Sequence, residues 1–204
     1  MHHFRAPDAR RFISASLMIG IAFVIFGASF GVLSVSAGAS VAQSCAMSLL
    51  VFTGASQMSA VSVIASGGTV ASAFGGAVLL SGRNAVYGLA MSPVLKQGSL
   101  ASRLLGAQWV IDETTAVVSA ETDPATRRTA FWISGAILYA SWNIGTLLGA
   151  LVGSSINPSD FGLDAAFPVM FTAMIAPHLR TSAGRKAALF GAVAAVALAP
   201  FMPI

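Results

Sequence analysis

From residue 12 to residue 82 the chain carries no charged side chain. A soluble protein needs charged groups along such a length to keep its surface in water, whereas a surface that faces lipid needs none. Asp, Glu, Lys and Arg make up 9% of the chain, against roughly a quarter of the residues in soluble domains. The sequence therefore predicts an integral membrane protein with almost no soluble portion.

Apolar stretches long enough for helical spans fill most of the sequence. A helix that crosses a membrane needs roughly 20 mainly apolar residues. Seven stretches meet or nearly meet this length: Phe12–Ala37, Val41–Ala65, Thr69–Leu95, Leu104–Ala120, Thr129–Ile156, Ala165–Leu179 and Ala187–Ile204. We expect an all-α fold, a polytopic bundle of about six or seven transmembrane helices, some of them broken or re-entrant. The connections are short, so residues 1–204 form a single membrane-embedded domain, with 1–11 as a cytoplasmic N-terminal segment.

Basic residues near the helix ends predict the orientation, because Lys and Arg are retained on the cytoplasmic side. A cytoplasmic N-terminus places most of them inside when the stretches are counted in turn, namely Arg5, Arg10, Arg11, Arg127, Arg128, Arg180, Arg185 and Lys186. Lys96 and Arg103 disagree, since they fall on the external side. Either one of the first three stretches does not cross the membrane, or the rule is violated locally.

Small residues recur at helical spacing in two stretches. The two stripes consist of Gly20, Gly27, Gly31 and Ser34 in the first stretch and of Gly145, Gly149 and Gly153 in the fifth. Helices in lipid associate through close backbone approach, which glycine permits. The stripes therefore predict tight helix–helix contacts, within this chain or with another. The alternative is that glycine is simply common in membrane helices.

Two adjacent carboxylates, Asp112 and Glu113, interrupt the fourth stretch. On a continuous helix Asp112 shares one face with Gln108, Thr115 and Ser119, which is typical of a helix that lines a cavity. A carboxylate that is held away from water can load and release a proton near neutral pH. The alternative is that this short segment is not a span and that the two carboxylates lie at a wet helix end.

An arginine lies midway along the third stretch. Arg83 is flanked by Gly82 and Asn84 and is too deep to reach the membrane surface comfortably. It needs a negatively charged partner. One candidate is the pair Asp112 and Glu113, as a structural ion pair, and the other is a substrate carboxylate, which a guanidinium binds through two parallel hydrogen bonds.

A run of small and polar residues, Thr53-Gly54-Ala55-Ser56-Gln57, interrupts the second stretch. It predicts either a helix break that exposes backbone groups to a ligand, as transporters often use, or ordinary close packing with Gln57 bonded to a neighbouring helix. In the fifth stretch we expect Trp142 to pack rather than bind ligand, and Asn143 to bond across helices.

Other function classes are disfavoured. The sequence contains no motif of a zinc protease, serine hydrolase, nucleotide-binding loop or haem attachment site, so we expect no enzyme and no cofactor. Cys45 is the only cysteine and the three histidines are far apart, so no metal site is predicted. The basic residues are scattered at helix ends and form no stripe for nucleic acid.

Several motifs resemble, in the same order, those of the large subunit of bacterial branched-chain amino acid exporters, the AzlC/YgaZ family. They are Gly27-Ala28-Ser29-Phe30-Gly31, Met47-Ser48, Phe52-Thr53-Gly54-Ala55-Ser56-Gln57, Arg83 with Tyr87-Gly88-Leu89 and Ser92-Pro93, Asp112-Glu113-Thr114, and Phe167-Pro168 with Met170-Phe171. The family usually shows Asn-x-Arg-His where this chain has Ser81-Gly82-Arg83-Asn84, so its specificity or coupling is expected to differ.

The resemblance implies a two-component exporter in the bacterial cytoplasmic membrane. A small hydrophobic membrane subunit is the implied partner, and the implied substrates are valine, leucine, isoleucine or methionine, exported with the proton gradient. Our hypothesis gives substrate binding to Arg83, Gly54, Ser56, Gln57 and Asn84 and proton coupling to Asp112 or Glu113. Arg83 would hold the substrate carboxylate, and the backbone around Gly54, with Ser56 and Gln57, would take the ammonium group. A passive channel for a small solute and a structural subunit of a larger complex remain as alternatives.

Overall fold

A computed structural model describes residues 6–96, 98–155 and 178–198, together with Thr172 and Ala176. All regular structure within these residues is helical, so the expected all-α class is confirmed for them. The α-helices are α1 Ala6–Ser36, α2 Val41–Leu50, α3 Gly54–Ala65, α4 Val70–Leu95, α5 Leu100–Gln108, α6 Asp112–Ser119, α7 Pro124–Gly153 and α8 Ser182–Leu198. A short 3₁₀-helix, His178–Arg180, precedes α8.

The predicted number of spans is not confirmed. Within the described residues, two helices are long and apolar enough to cross a membrane, over Ala9–Ser36 in α1 and over α7. Most of the predicted sixth stretch, Ala165–Leu179, lies outside the described residues, as do the motifs Phe167-Pro168 and Met170-Phe171 and the end of the seventh stretch beyond Leu198.

α1 and α7 pack against each other along most of their length. A Cβ atom at Gly27 would stand 2.5 Å from the carbonyl oxygen of Trp142, and a Cβ at Gly31 would collide with Thr146. Three successive contacts give the direction: Val24 with Gly145, Ala28 with Gly149 and Val32 with Gly153. The two glycine stripes therefore face each other within one chain, and the two helices run parallel.

α2 and α3 form a helical hairpin that turns at residues 51–53. α2 begins beside the end of α1, where Ser44 Oγ donates a hydrogen bond to Ser34 Oγ at 2.8 Å. α3 returns to the same end of the molecule, because Ile64 lines a pocket together with Ala37, which directly follows α1. We call α2 and α3 the first hairpin and residues 51–53 its tip.

α5 and α6 form a second hairpin, with its tip at residues 109–111. α5 runs back along α4, so that Ala107 faces the same groove as Gly88. α6 then returns towards the start of α1, where Arg11 Nη2 lies 2.9 Å from Oε1 of Glu121. The second hairpin thus enters from the end of the molecule opposite to the one that the first hairpin uses.

The stretches Val41–Ala65 and Leu104–Ala120 were each counted as one span, but each contains two short helices that reverse direction at a three-residue tip. The sequence left a break in the first stretch open as an alternative and did not predict the break in the second. The first tip is held by Gln108 and Tyr139 from other helices, whereas the second is held by Thr114 of α6, whose hydroxyl bonds to backbone groups of the tip.

α4 connects the two hairpins. It packs antiparallel to α3, with Ser81 Oγ 2.9 Å from Ser56 Oγ and Gly76 near Ser59. It continues past both tips and ends beside the start of α7, where Arg128 donates to the carbonyl oxygen of Val94. The order of one long helix followed by one hairpin therefore occurs twice, in α1–α3 and in α4–α6, with opposite directions.

Basic side chains collect at one end of the molecule. α1 and α7 begin there and α4 ends there, which brings Arg11, Lys96, Arg103, Arg127 and Arg128 to the same end. We call it the basic end. The reversal at the first hairpin places Lys96 and Arg103 with the other basic residues, which removes the disagreement in the predicted orientation.

Polar caps start the helices that begin at the two ends of the molecule. Ser40 Oγ accepts a hydrogen bond from the Gln43 backbone N–H at 3.2 Å at the start of α2. Asp123 caps α7 through the Thr126 N–H at 2.8 Å. By contrast, α3 begins at the first tip without a side-chain cap, so its first N–H groups remain available for other partners. At the start of α6, Thr114 Oγ1 accepts a hydrogen bond from the Ile111 backbone N–H at 3.1 Å.

Candidate functional site

The two hairpin tips meet the middle of α4 and enclose a cavity of about 130 Å³. We call it the central cavity. It is lined by Phe23, Phe26, Phe52, Thr53, Gly54, Ala55, Arg83, Asn84, Ile111, Asp112, Glu113 and Trp142. These residues come from α1, α3, α4, α6, α7 and both tips, so the cavity exists only in the assembled fold.

An ion pair crosses the central cavity. Nη1 of Arg83 lies 3.0 Å from Oδ2 of Asp112, and each side chain is 38% exposed. Glu113 and Asn84 line the same space. Asp112 and Glu113 occupy the first turn of α6, where the helix dipole favours negative charge. The cavity therefore holds one guanidinium and two carboxylates in a largely apolar wall.

The start of α3 contributes unpartnered polar groups. Thr53 is the N-cap residue of α3, yet its hydroxyl does not cap the helix, and this buried Oγ1 has no hydrogen-bond partner among the described residues. The indole Nε1 of Trp142 is buried and equally unpartnered. Buried polar groups are normally satisfied, and both of these residues line the central cavity.

Gly54 is required by close packing at the first tip. A Cβ atom at this position would stand 2.7 Å from Cη2 of the Trp142 indole. The ring also packs edge-on against Phe23, with centroids 5.9 Å apart, and Phe23 lies 6.3 Å from Phe52. Glycine thus lets the start of α3 approach an aromatic wall that forms the apolar side of the central cavity.

The ends of the broken helices are satisfied by side chains. The Leu49 carbonyl oxygen, near the end of α2, accepts hydrogen bonds from Gln108 Nε2 and from Tyr139 Oη, both at 2.8 Å. Gln57 Nε2 donates to the Met47 carbonyl oxygen at 3.1 Å. The bonds to Leu49 replace the intrahelical partner that the break removes and connect both hairpins with α7, whereas the Met47 carbonyl also keeps its bond from the Val51 N–H at 2.9 Å.

The predicted site residues divide into two groups. Arg83, Asn84, Gly54, Asp112 and Glu113 come together around the central cavity. Ser56 and Gln57 are buried beside it and do not line it: the first bonds to Ser81 and the second to the carbonyl of Met47.

Two predictions for neighbouring residues are wrong. The polar stripe from Gln108 to Ser119 does not lie on one helix, because the chain breaks between Gln108 and Asp112. Asn143 bonds to the carbonyl oxygen of Tyr139 in its own helix, not across helices. The first prediction assumed that one helix continues from Gln108 to Ser119. The second assumed that Asn143 finds its hydrogen-bond partner on a neighbouring helix.

Seven lining residues were not predicted from the sequence as site residues, namely Phe23, Phe26, Phe52, Thr53, Ala55, Ile111 and Trp142. Trp142 was assigned to packing, which it does provide for Gly54. The unused indole N–H was the available signal, since a tryptophan deep in an apolar stretch needs an acceptor. No sequence signal distinguishes Phe23 and Phe26 from the other apolar residues of α1.

The chain matches the model of the AzlC protein family over residues 18–156. It is 28% identical over 206 residues to the inner membrane protein YgaZ of Escherichia coli strain K12, which covers 95% of this chain and 84% of YgaZ. It is 25% identical over 189 residues to an uncharacterized membrane protein of Helicobacter pylori strain J99, with 91% of this chain and 82% of that protein covered. No solved structure shows significant similarity to this chain.

The family match spans more than half of the sequence and includes most of α1 and all of α2 through α7. It therefore contains every residue that lines the central cavity. The relatives are named as membrane proteins, in agreement with the uncharged segment between residues 12 and 82. The chain is a membrane protein and belongs to the AzlC family.

Proposed function

We propose that this chain is the large subunit of a two-component exporter of branched-chain amino acids that uses the proton gradient. The observation that carries the proposal is the central cavity, which combines a guanidinium, two carboxylates and an aromatic wall. A zwitterion with an apolar side chain needs these three kinds of surface. The AzlC family membership and the resemblance to amino acid exporters point to the same substrate class.

In the proposed complex the substrate carboxylate binds Arg83 and the uncapped start of α3. A guanidinium holds a carboxylate through two hydrogen bonds, and a helix N-terminus attracts negative charge. The substrate ammonium group lies against Asp112 or Glu113. This differs from the sequence-based hypothesis, which gave the ammonium group to the backbone around Gly54. The branched side chain packs against Phe23 and its aromatic neighbours.

Proton coupling follows from competition for Asp112. Without substrate, Arg83 pairs with Asp112. In the complex the substrate carboxylate binds Arg83 and its ammonium group binds the ionised Asp112. A proton that reaches Asp112 from the outer side displaces the ammonium group and releases the substrate. This proton leaves to the cytoplasm before the next substrate binds, so one proton enters for each amino acid that leaves. Glu113, which lines the same cavity, is the second group that can take up the proton.

The proposed membrane arrangement has α1, α4 and α7 crossing the bilayer and the two hairpins entering it from opposite faces. Irregular backbone at membrane depth is tolerated where it is buried in protein or lines a cavity, as both tips do. Transporters commonly combine such broken helices with inverted repeats. The basic end faces the cytoplasm, which puts the N-terminus inside. Residues 178–198 are not placed in this arrangement.

Efflux from loaded cells tests the function. Cells that lack other exporters of this class are loaded with a valine-containing dipeptide, and valine release is followed with and without this chain and its small subunit. We expect faster release, and we expect a protonophore to abolish the difference. Unchanged release, with both chains present in the membrane, would contradict the exporter function, and release that ignores the protonophore would favour a passive channel.

The same assay tests the coupling mechanism through Asp112→Asn. Because the amide takes up no proton, substrate and proton can no longer exchange at this side chain, while Arg83 stays available to the substrate carboxylate. We expect downhill valine release to persist while its response to the protonophore is lost. Glu113→Gln serves as the matched variant and should remain coupled. If Glu113→Gln loses the response and Asp112→Asn keeps it, the coupling role belongs to Glu113.

A further inference from the structure

A second space, of about 400 Å³, lies between α4 and α5. We call it the basic groove. One of its lining residues, Asn84, also lines the central cavity. From there the groove follows α4 past Gly88 and Ser92 to Lys96, with Arg103 on the facing helix. The groove therefore leads from Asn84, at the edge of the central cavity, to the basic end of the molecule.

The two walls of the groove suit an amino acid with an apolar side chain, because α5 contributes mainly apolar residues and α4 contributes small and polar ones. Asn84, Gly88, Ser92 and Lys96 are spaced by four residues, so they form one face of α4 over about 18 Å. This face is small and polar, whereas the remaining exposed face of α4 presents side chains such as Val86 and Leu79, which are 66% and 83% exposed. A Cβ atom added at Gly88 would meet no atom within 4 Å, so the groove is open at this point.

The opposite end of the molecule has no such connection among the described residues. The pocket between α1 and the first hairpin measures about 330 Å³, and it shares no lining residue with the central cavity. A buried cluster that includes Phe30, Phe52 and Met58 packs between α1, the first hairpin and α7. The central cavity thus adjoins the basic groove at Asn84, whereas the buried cluster separates it from the pocket at the other end.

We propose that the basic groove is the path by which an amino acid reaches the central cavity from the cytoplasm, with Lys96 and Arg103 attracting its carboxylate. This inference rests on the proposed export function. Because the amino acid carries no net charge, positive charge at the mouth of the groove does not concentrate it but orients it with its carboxylate towards Lys96 and Arg103. The structure then represents the state of the exporter that is open to the cytoplasm.

Thiol labelling tests the path without requiring transport. Cys45 is the only cysteine, so Cys45→Ser provides a background in which Gly88→Cys or Val86→Cys is the sole thiol. Both positions lie at nearly the same depth of α4 but on different faces. In inside-out vesicles we expect a membrane-impermeant methanethiosulfonate reagent to modify Gly88→Cys and to leave Val86→Cys unmodified, because a thiol in lipid does not ionise.

The charge of the reagent tests the role of the basic residues. In the Gly88→Cys background the measured quantity is the modification rate of the anionic sulfonate reagent divided by that of the cationic ammonium reagent. We expect the basic residues to raise this ratio. Lys96→Glu together with Arg103→Glu should lower this ratio roughly tenfold. An unchanged ratio would contradict the steering role.

Failure of the path and failure of the export function give different results. If Gly88→Cys is unmodified in inside-out vesicles while the natural chain still exports valine, the proposed path is wrong and the function stands. If Gly88→Cys is modified but no valine efflux occurs in any variant, the groove is open to water and the proposed function is wrong.

Discussion

Replacing Arg83 by alanine is expected to abolish valine efflux while the protein still inserts into the membrane. The guanidinium is the positively charged side chain of the central cavity and lies 3.0 Å from Asp112. Hydrogen bonds to charged groups contribute about 2–3 kcal/mol, which corresponds to a rate roughly 30- to 150-fold lower. The measurement is the initial rate of efflux per amount of protein detected in the membrane.

Arg83→Lys separates charge from geometry. Lysine keeps the positive charge but cannot form two parallel hydrogen bonds to a carboxylate. We expect efflux between that of the natural chain and that of Arg83→Ala. Equal efflux in all three proteins would show that Arg83 forms a structural pair with Asp112 and that the substrate binds elsewhere.

The second large effect is expected at the contact between α1 and α7. A side chain at Gly149 would collide with the backbone of Ala28, which cannot move aside as a flexible side chain can. Gly149→Leu would therefore separate two helices that pack through their backbones. We expect a loss of stability of about 3 kcal/mol or more and a marked decrease in the thermal unfolding temperature of the detergent-solubilised protein.

Gly75→Leu is the matched control for this variant. Gly75 lies on α4 and is exposed, and a Cβ atom added there would have no neighbouring atom within 4 Å. The same change of residue should leave the unfolding temperature nearly unchanged. A similar temperature for both variants would mean that the glycine contacts between α1 and α7 contribute little to stability.

The central site was predictable from the cost of placing polar groups in an apolar sequence. Arg83, Asp112 and Glu113 are charged residues within long apolar stretches, and such residues need a partner or a cavity. The structure places all three around one cavity and pairs Arg83 with Asp112. The glycine stripes were recognisable for a related reason, since close helix packing requires small residues at regular spacing.

The reversal of the two hairpins was not predictable from hydropathy, which measures how apolar a segment is and not which way it runs. The first tip depends on Leu49 receiving hydrogen bonds from Gln108 and Tyr139, far away in the sequence. The basic residues did carry a sign of the reversal, because Lys96 and Arg103 fell on the wrong side of the predicted membrane.

Binding of a branched-chain amino acid in the central cavity can be measured at equilibrium, with valine and the purified two-subunit complex. We predict saturable binding that is displaced by leucine, is not displaced by lysine or glutamate, and is lost in Arg83→Ala protein that remains folded. Displacement by the charged amino acids would mean that the aromatic wall does not select the side chain. The absence of saturable binding to the folded complex, or equal affinity of the natural and Arg83→Ala proteins, would contradict a substrate site at Arg83.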